Sequence, residues 1–264
     1  MYMEIIQLLQ YIFILSVGIQ IIMFVPAYIF KTDVFTDLSY SLTFIMISTF
    51  SYLLGGFSLS AIILLGLLYL WAVRLGSYLF IRIRRIKKDT RFDGMREDSV
   101  SFLRFWLLQG VAVFVIMIPS SVFLLQSEQI FGLQFIIGGC ISLFGIIFET
   151  IADYQKYVFI NDPKNKGLWI SSGVWKLSRH PNYFGEILVW VGIYIAVVPS
   201  FSFLWILIGS TSPLFIILLL RFGSGVPLLE KSADQKWGIN PDYIAYKKNT
   251  PILIPRLFEK NTSL

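Results

Sequence analysis

IIQLLQYIFILSVGIQIIMFVPAYIF, residues Ile5–Phe30, decides what kind of protein this is. An apolar run this close to an N-terminus is either a secretory leader or a membrane span. A leader carries a basic n-region, a short apolar core and a small-residue cleavage site. This run has no basic residue before it and no such site, and its length exceeds the roughly 20 residues that cross a hydrocarbon core. It reads as a first transmembrane helix.

The remaining sequence agrees. The chain has 264 residues, of which 56% are hydrophobic and 14% charged. Soluble domains run at roughly 45–50% and about 25%. Mean hydropathy is +0.72. Further apolar runs fall at roughly 38–54, 58–81, 101–125, 131–152, 184–199 and 202–222, which predicts an all-α bundle of about seven spans. No repeat, low-complexity tract or soluble segment divides it, so residues 1–264 are expected to form a single integral membrane domain. The single cysteine, Cys140, lies within an apolar run and reads as a small packing residue with no intrachain disulfide open to it.

The net charge of +6 could suggest a polyanionic partner, but its placement points elsewhere. With the N-terminus outside, the segments after spans one, three, five and seven face the cytoplasm. All 22 lysines and arginines then lie in or beside those segments, and the opposite loops carry none. This positive-inside pattern sets the orientation, puts the C-terminus in the cytoplasm, and explains the charge without nucleic acid.

Within the spans, Asp37, Arg74, Glu149, Asp153, Asn182 and Glu186 all fall at the ends expected to face the cytoplasm, and Glu230 follows span seven. Ionisable side chains at membrane depth are costly and need partners or a wet cavity, so a polar cavity on the cytoplasmic side is expected. Arg74, Tyr78 and Arg82 recur at four-residue intervals, and Glu149, Asp153, Lys156 and Tyr157 likewise share one helical face. The same spacing also suits a plain intrahelical pair such as Asp153 with Lys156.

The chain's only histidine lies in LSRHPNYFGEILVW, Leu177–Trp190. Pro181 suits the first turn of a helix, which leaves His180 or Ser178 as the cap. A helix N-terminus next to Arg179 attracts an anion such as phosphate. Asn182 and Glu186, one turn apart, suit a carboxamide or a ribose hydroxyl, and Gly185 allows close packing. A capped helix with a satisfied histidine is the plainer alternative.

GLWISSGVWKLSRHPNYFGE (Gly167–Glu186), followed by GSGVPLLEK (Gly223–Lys231) and DYIAYKKNTPILIP (Asp242–Pro255), resembles the C-terminal signature of the steroid 5-alpha-reductase family of integral membrane enzymes, its bacterial members in particular. The likeness extends through LYLWAVRLGSYL (Leu68–Leu79), FWLLQG (Phe105–Gly110) and ETIADYQKYVF (Glu149–Phe159), over roughly residues 35–257. Isoprenylcysteine carboxyl methyltransferases and sterol C14 reductases carry related blocks.

The resemblance implies NADPH as cofactor, with Asn182 and Glu186 on its nicotinamide end and Asp153 and Arg74 nearby. Arg82, Lys166 and Arg179 become candidates for its phosphates, with Tyr157, Tyr183, Glu230 and Tyr243 as further contacts. Glu149 departs from the family, which often has an amide there. Asp37, in the context Phe35-Thr36-Asp37-Leu38, takes the place of the family's catalytic glutamate. Trp71 stands where the family has a ketone-polarising tyrosine, so Tyr40 or Tyr69 is left to supply that hydroxyl. No metal is implied.

The implied reaction reduces the conjugated carbon–carbon double bond of a 3-oxo-Δ4 steroid or similar enone, which enters from the bilayer of a bacterial inner membrane. A carboxylic acid donates at neutral pH only where burial disfavours its anion, so a largely dry Asp37 is expected. An S-adenosylmethionine-dependent methyltransferase and a non-catalytic lipid or sterol binder remain as alternatives.

Overall fold

The computed structural model describes residues 2–86 and 92–256. Lys87–Arg91 of the basic segment and residues 257–264 of the tail lie outside the described residues. The described chain is helical and contains no strand: α1 Tyr2–Ile29, α2 Val34–Leu54, α3 Leu59–Ile86, α4 Ser99–Leu125, α5 Leu133–Asn161, α6 Pro181–Val197, α7 Phe203–Gly209, α8 Thr211–Phe222, α9 Val226–Trp237 and α10 Pro241–Asn249. The protein is an all-α, multi-pass membrane protein.

Among the described residues, six helical stretches are long and apolar enough to cross a membrane: Met3–Ile29, Leu59–Arg85, Ser99–Leu125, Leu133–Asn161, Pro181–Ser200 and Phe203–Trp237. The expected second span is present as α2, a helix of 21 residues, but it is not among the six. Its many serines and threonines lower its hydropathy. The expected last span is interrupted at Ser210 because Pro213 has no N–H to donate to the Gly209 carbonyl.

The chain forms two compact units, Met1–Cys140 with Gly192–Pro213, and Ile141–Val191 with Leu214–Leu264. In the first, α2 turns its hydroxyl side chains inward. Thr36, Ser39, Ser41, Thr43, Ser48 and Ser51 are all inside. Several of these hydroxyls return to the carbonyl one turn back, as Thr43 does to Ser39 at 2.7 Å and Ser48 to Phe44 at 2.8 Å, so α2 satisfies much of its polarity internally.

Further polar contacts tie three helices together. Gln20 of α1, fully buried, donates to Thr43 Oγ1 at 2.7 Å, and its Oε1 accepts from Gln109 Nε2 of α4 at 2.9 Å. Gln109 also reaches the Thr36 carbonyl at 3.0 Å. Buried polar groups that find partners fix one arrangement of packed helices, because every alternative leaves them unsatisfied. Nearby, Arg96 lies 3.6 Å from Asp33 with both side chains almost inaccessible. The segment before α4 is thereby pinned to the turn between α1 and α2.

In the second unit, α5 and α6 run antiparallel in backbone contact. A Cβ on Gly185 would stand 2.7 Å from the Glu149 Cβ, and one on Gly145 would stand 2.7 Å from the Gly185 carbonyl. The tail then folds back on the segment before α6. Arg179 N donates to Pro251 O at 2.9 Å, His180 N to Ile252 O at 3.1 Å, and Arg256 N to Leu177 O at 3.0 Å.

Candidate functional site

α6 begins at Pro181, the residue whose missing N–H a first turn does not need. His180 accepts the first helical bond, from Phe184 N at 3.2 Å, so it occupies the cap position. Its side chain does not cap. It turns to α9, where Nε2 donates to Glu230 Oε1 at 2.9 Å. Arg179 donates to the other oxygen of the same carboxylate, and Lys247 of α10 stands 3.5 Å from it. Tyr183 stacks on the His180 ring at 5.6 Å. The expected anion site next to Arg179 is thus already supplied with an internal carboxylate.

Burial holds His180 below the usual imidazole range, against the opposing pull of Glu230. The ring is neutral at pH 7 and spends its one N–H on Glu230. Burial also raises the Tyr246 phenol, whose hydroxyl donates to the Trp175 carbonyl at 2.9 Å.

Beside this cluster is a cavity of about 280 Å³. It sits at the lower edge of small-molecule pockets, which run from roughly 300 to 1,000 Å³. The end of α5 contributes Lys156, Phe159 and Ile160, the following loop Trp169 and Trp175, α9 Glu230, Lys236 and Trp237, and α10 Tyr243 and Tyr246. Trp169, Trp237 and Tyr243 form an aromatic corner, with ring centroids 5.2 to 6.1 Å apart. The loop is set by Gly173, whose φ of +58° and closeness to the Gln155 side chain exclude any larger residue. Gln155 Oε1 accepts from Val174 N at 2.9 Å, and Trp175 Nε1 donates to Ala152 O at 3.0 Å.

Of the residues expected to bind a cofactor, Arg179, Glu230 and Tyr243 line this cavity. Lys166 is exposed and is not part of its lining. Tyr157 is half-buried on α5, and Asp153 is buried, at 4% exposure. The antiparallel register that sets Gly185 against Glu149 brings Asp153, one turn further along α5, level with the start of α6. Glu186 is buried, and its Oε1 accepts from Trp190 Nε1 at 2.8 Å. Asn182 Oδ1 is shielded from solvent and meets no donor. A buried amide oxygen without a donor costs roughly 1–3 kcal/mol, and a carboxamide N–H is the kind of ligand group that would repay it. The α6 residues therefore fit the nicotinamide end of NADPH. Arg179, already engaged by Glu230, fits its phosphates less well.

The other candidates belong to the first unit. Asp37 on α2 pairs with Arg82 on α3 at 3.7 Å, and the two side chains are 26% and 33% exposed. The expected dry carboxyl is not what the structure contains: this one is partly wet and faces a guanidinium. Tyr40 packs edge-on against Phe44, which packs in the same way against the fully buried Trp71. The Tyr69 hydroxyl shares a hydrogen bond with Thr49, and Arg74 is half-buried on α3. The sequence alone gives no role to Gln20, and Gln109 enters there only as part of FWLLQG. The signal available was glutamines within long apolar runs: Gln7, Gln10 and Gln20 in the first, and Gln109 in the run that forms α4.

No group of three or more metal-ligating side chains occurs among the described residues. The helical architecture defines a multi-pass membrane protein. Residues 23–250 match the family described as protein of unknown function (DUF1295), and the chain belongs to that family. No curated protein and no solved structure matches it.

Proposed function

We propose that the protein is an NADPH-dependent reductase of a conjugated carbon–carbon double bond in a lipophilic enone, such as a 3-oxo-Δ4 steroid, in a bacterial inner membrane. Its family is related to steroid 5-alpha-reductase-like membrane proteins. The observation that carries the reading is the buried Asn182 Oδ1 without a donor, at the mouth of α6 and one turn from the buried Glu186. NADPH supplies the hydride when bound, and a proton completes addition across the double bond. Asn182 accepts from the carboxamide, and Glu186, oriented by Trp190, accepts from a ribose hydroxyl. Asp153 and Tyr183 complete the binding surface on this side.

The ketone-polarising role that the resemblance gives to Asp37 competes with Arg82, which pairs with the partly exposed carboxylate at 3.7 Å. The same observation favours a second reading, methyl transfer from S-adenosylmethionine, which needs no buried acid. One experiment separates the two. The purified chain in detergent is titrated with NADPH and with S-adenosylmethionine, and NADPH oxidation is followed with a 3-oxo-Δ4 steroid. Saturable NADPH binding that is lost in Asn182→Leu supports the reductase. Binding of S-adenosylmethionine alone replaces it with the methyltransferase.

A further inference from the structure

The cavity beside Glu230 contains more than an α6 cofactor site requires. Its lining includes Lys156, Arg179, Glu230 and Lys236; Arg179 is engaged by Glu230, while Lys236 is exposed at the rim. Lys156 lies over the Trp175 face at 5.0 Å and Lys236 over Trp237 at 5.8 Å, so aromatic rings steady both ammonium groups. The indole N–H of Trp169 is shielded from solvent and has no acceptor. A shielded N–H donor beside the exposed ammonium of Lys236 suits an anionic acceptor.

The surroundings indicate what carries that anion. Ile160, Leu168 and Leu229 belong to the lining yet stay 66%, 51% and 38% exposed, and Leu228 next to them is 51% exposed. Exposed aliphatic side chains around a tryptophan, tyrosine and lysine cluster are the composition of a membrane interface, where rings and ammonium groups sit at headgroup level. α9 supplies part of this rim, and its sequence VPLLEKSADQKW joins the exposed Leu228 and Leu229 to a charged stretch that ends in a lysine and a tryptophan, residue types of a membrane interface.

We propose that this cavity binds the phosphate headgroup of an anionic phospholipid, with Trp169 and Lys236 on the phosphate and Ile160, Leu168 and Leu229 against the first acyl segments. The site would anchor α9 and the loop before α6 to the membrane surface, and it does not depend on which reaction the protein performs. The shared chemistry, phosphate on a hydrophobic body, also describes a nucleotide, so the test includes one.

Full-length protein in detergent is incubated with phosphatidylglycerol, phosphatidylcholine or ADP, and ligand retention is measured by native mass spectrometry. The expected result is retention of phosphatidylglycerol well above phosphatidylcholine. Lys236→Gln should lower it about fivefold, the effect of one cation at a lipid surface. Trp169→Phe, which keeps a ring and deletes the donor, should lower it several-fold. Equal retention of the two lipids by the unaltered protein overturns the proposal, as does unchanged retention in Lys236→Gln. ADP retained with the same sensitivity to Lys236→Gln assigns the cavity to a nucleotide and overturns the lipid. Should Trp169→Phe fail to fold, the unaltered protein and Lys236→Gln decide the matter. NADPH titration of the same samples shows separately whether the reductase reading stands.

Discussion

His180 Nε2 donates to Glu230 Oε1 at 2.9 Å, linking the residue before α6 to the middle of α9 across fifty positions of sequence. The same carboxylate also receives Arg179. One acidic side chain thereby fixes the loop that delivers Asn182 and Glu186. Glu230→Ala strands a buried guanidinium and a buried imidazole together. Hydrogen bonds to charged groups are worth roughly 1.5–3 kcal/mol each, and partial exposure of the cluster reduces the Coulombic share. The expected loss is about 2 kcal/mol, read as a lower midpoint of thermal unfolding in detergent. Glu230→Gln, which still accepts one bond, should lose less.

The protonation of His180 gives a second expectation. Its folded-state pKa lies below the ordinary value because burial disfavours the imidazolium. Between that lowered value and about 6.5, the unfolded chain binds a proton that the folded chain does not. Stability from this group is therefore complete above about pH 6.5 and is lost as pH falls through that window. The unfolding midpoint should drop between about pH 7.5 and about pH 5.5. His180→Gln, which keeps a donor toward Glu230 but does not titrate, should flatten this part of the slope. An unchanged slope in that variant would show that another group carries it.

Much of this arrangement is legible in the sequence, and what is not has physical reasons. The apolar runs mark the helices because a span must satisfy its backbone internally and face lipid. The start of α6 is readable from Pro181, and the close packing at Gly185 from its lack of a side chain. The role of Glu230 is only hinted at, because its partners lie fifty positions away, and local spacing carries no record of a tail that folds back on residues Leu177–His180. α2 looks like an ordinary span until its hydroxyls are seen bonding inward and meeting Gln20 and Gln109. The wet pairing of Asp37 with Arg82 depends on the relative rotation of α2 and α3, which helical periodicity alone leaves open.

Glycine positions separate packing from propensity. A methyl added at Gly185 meets Glu149 backbone and side chain at 2.7 to 2.8 Å, whereas one at Gly66 of α3 meets nothing within 4 Å. Gly185→Ala must push α5 and α6 apart and should cost roughly 1–3 kcal/mol. Gly66→Ala should stabilise by roughly 0.5–1 kcal/mol through helix propensity alone. Thermal unfolding of the pair of variants checks both signs, and equal shifts would contradict the α5–α6 contact.

Asn182 sets stability against binding. Its amide oxygen is buried without a donor, so Asn182→Leu removes an uncompensated polar atom and should leave the unfolding midpoint unchanged or slightly raised. NADPH affinity should fall by about tenfold, the equivalent of one hydrogen bond worth about 1.4 kcal/mol. A variant that loses stability as well would mean that the oxygen has a structural partner.

The Asp37–Arg82 pair tests how the catalytic role was assigned. At 3.7 Å and with both side chains a quarter to a third exposed, the pair is a wet one and should contribute under about 1 kcal/mol, screened further by salt. A double-mutant cycle of Asp37→Asn and Arg82→Gln on unfolding should therefore give a small coupling energy that shrinks at high ionic strength. On activity the two changes should part company. If Asp37 donates to a substrate ketone, Asp37→Asn slows turnover while NADPH affinity holds, and Arg82→Gln speeds the step by releasing the carboxyl from its cation. If both variants turn over as the unaltered protein does, the donor is another group, and the Tyr69 hydroxyl paired with Thr49 is the next to remove, by Tyr69→Phe.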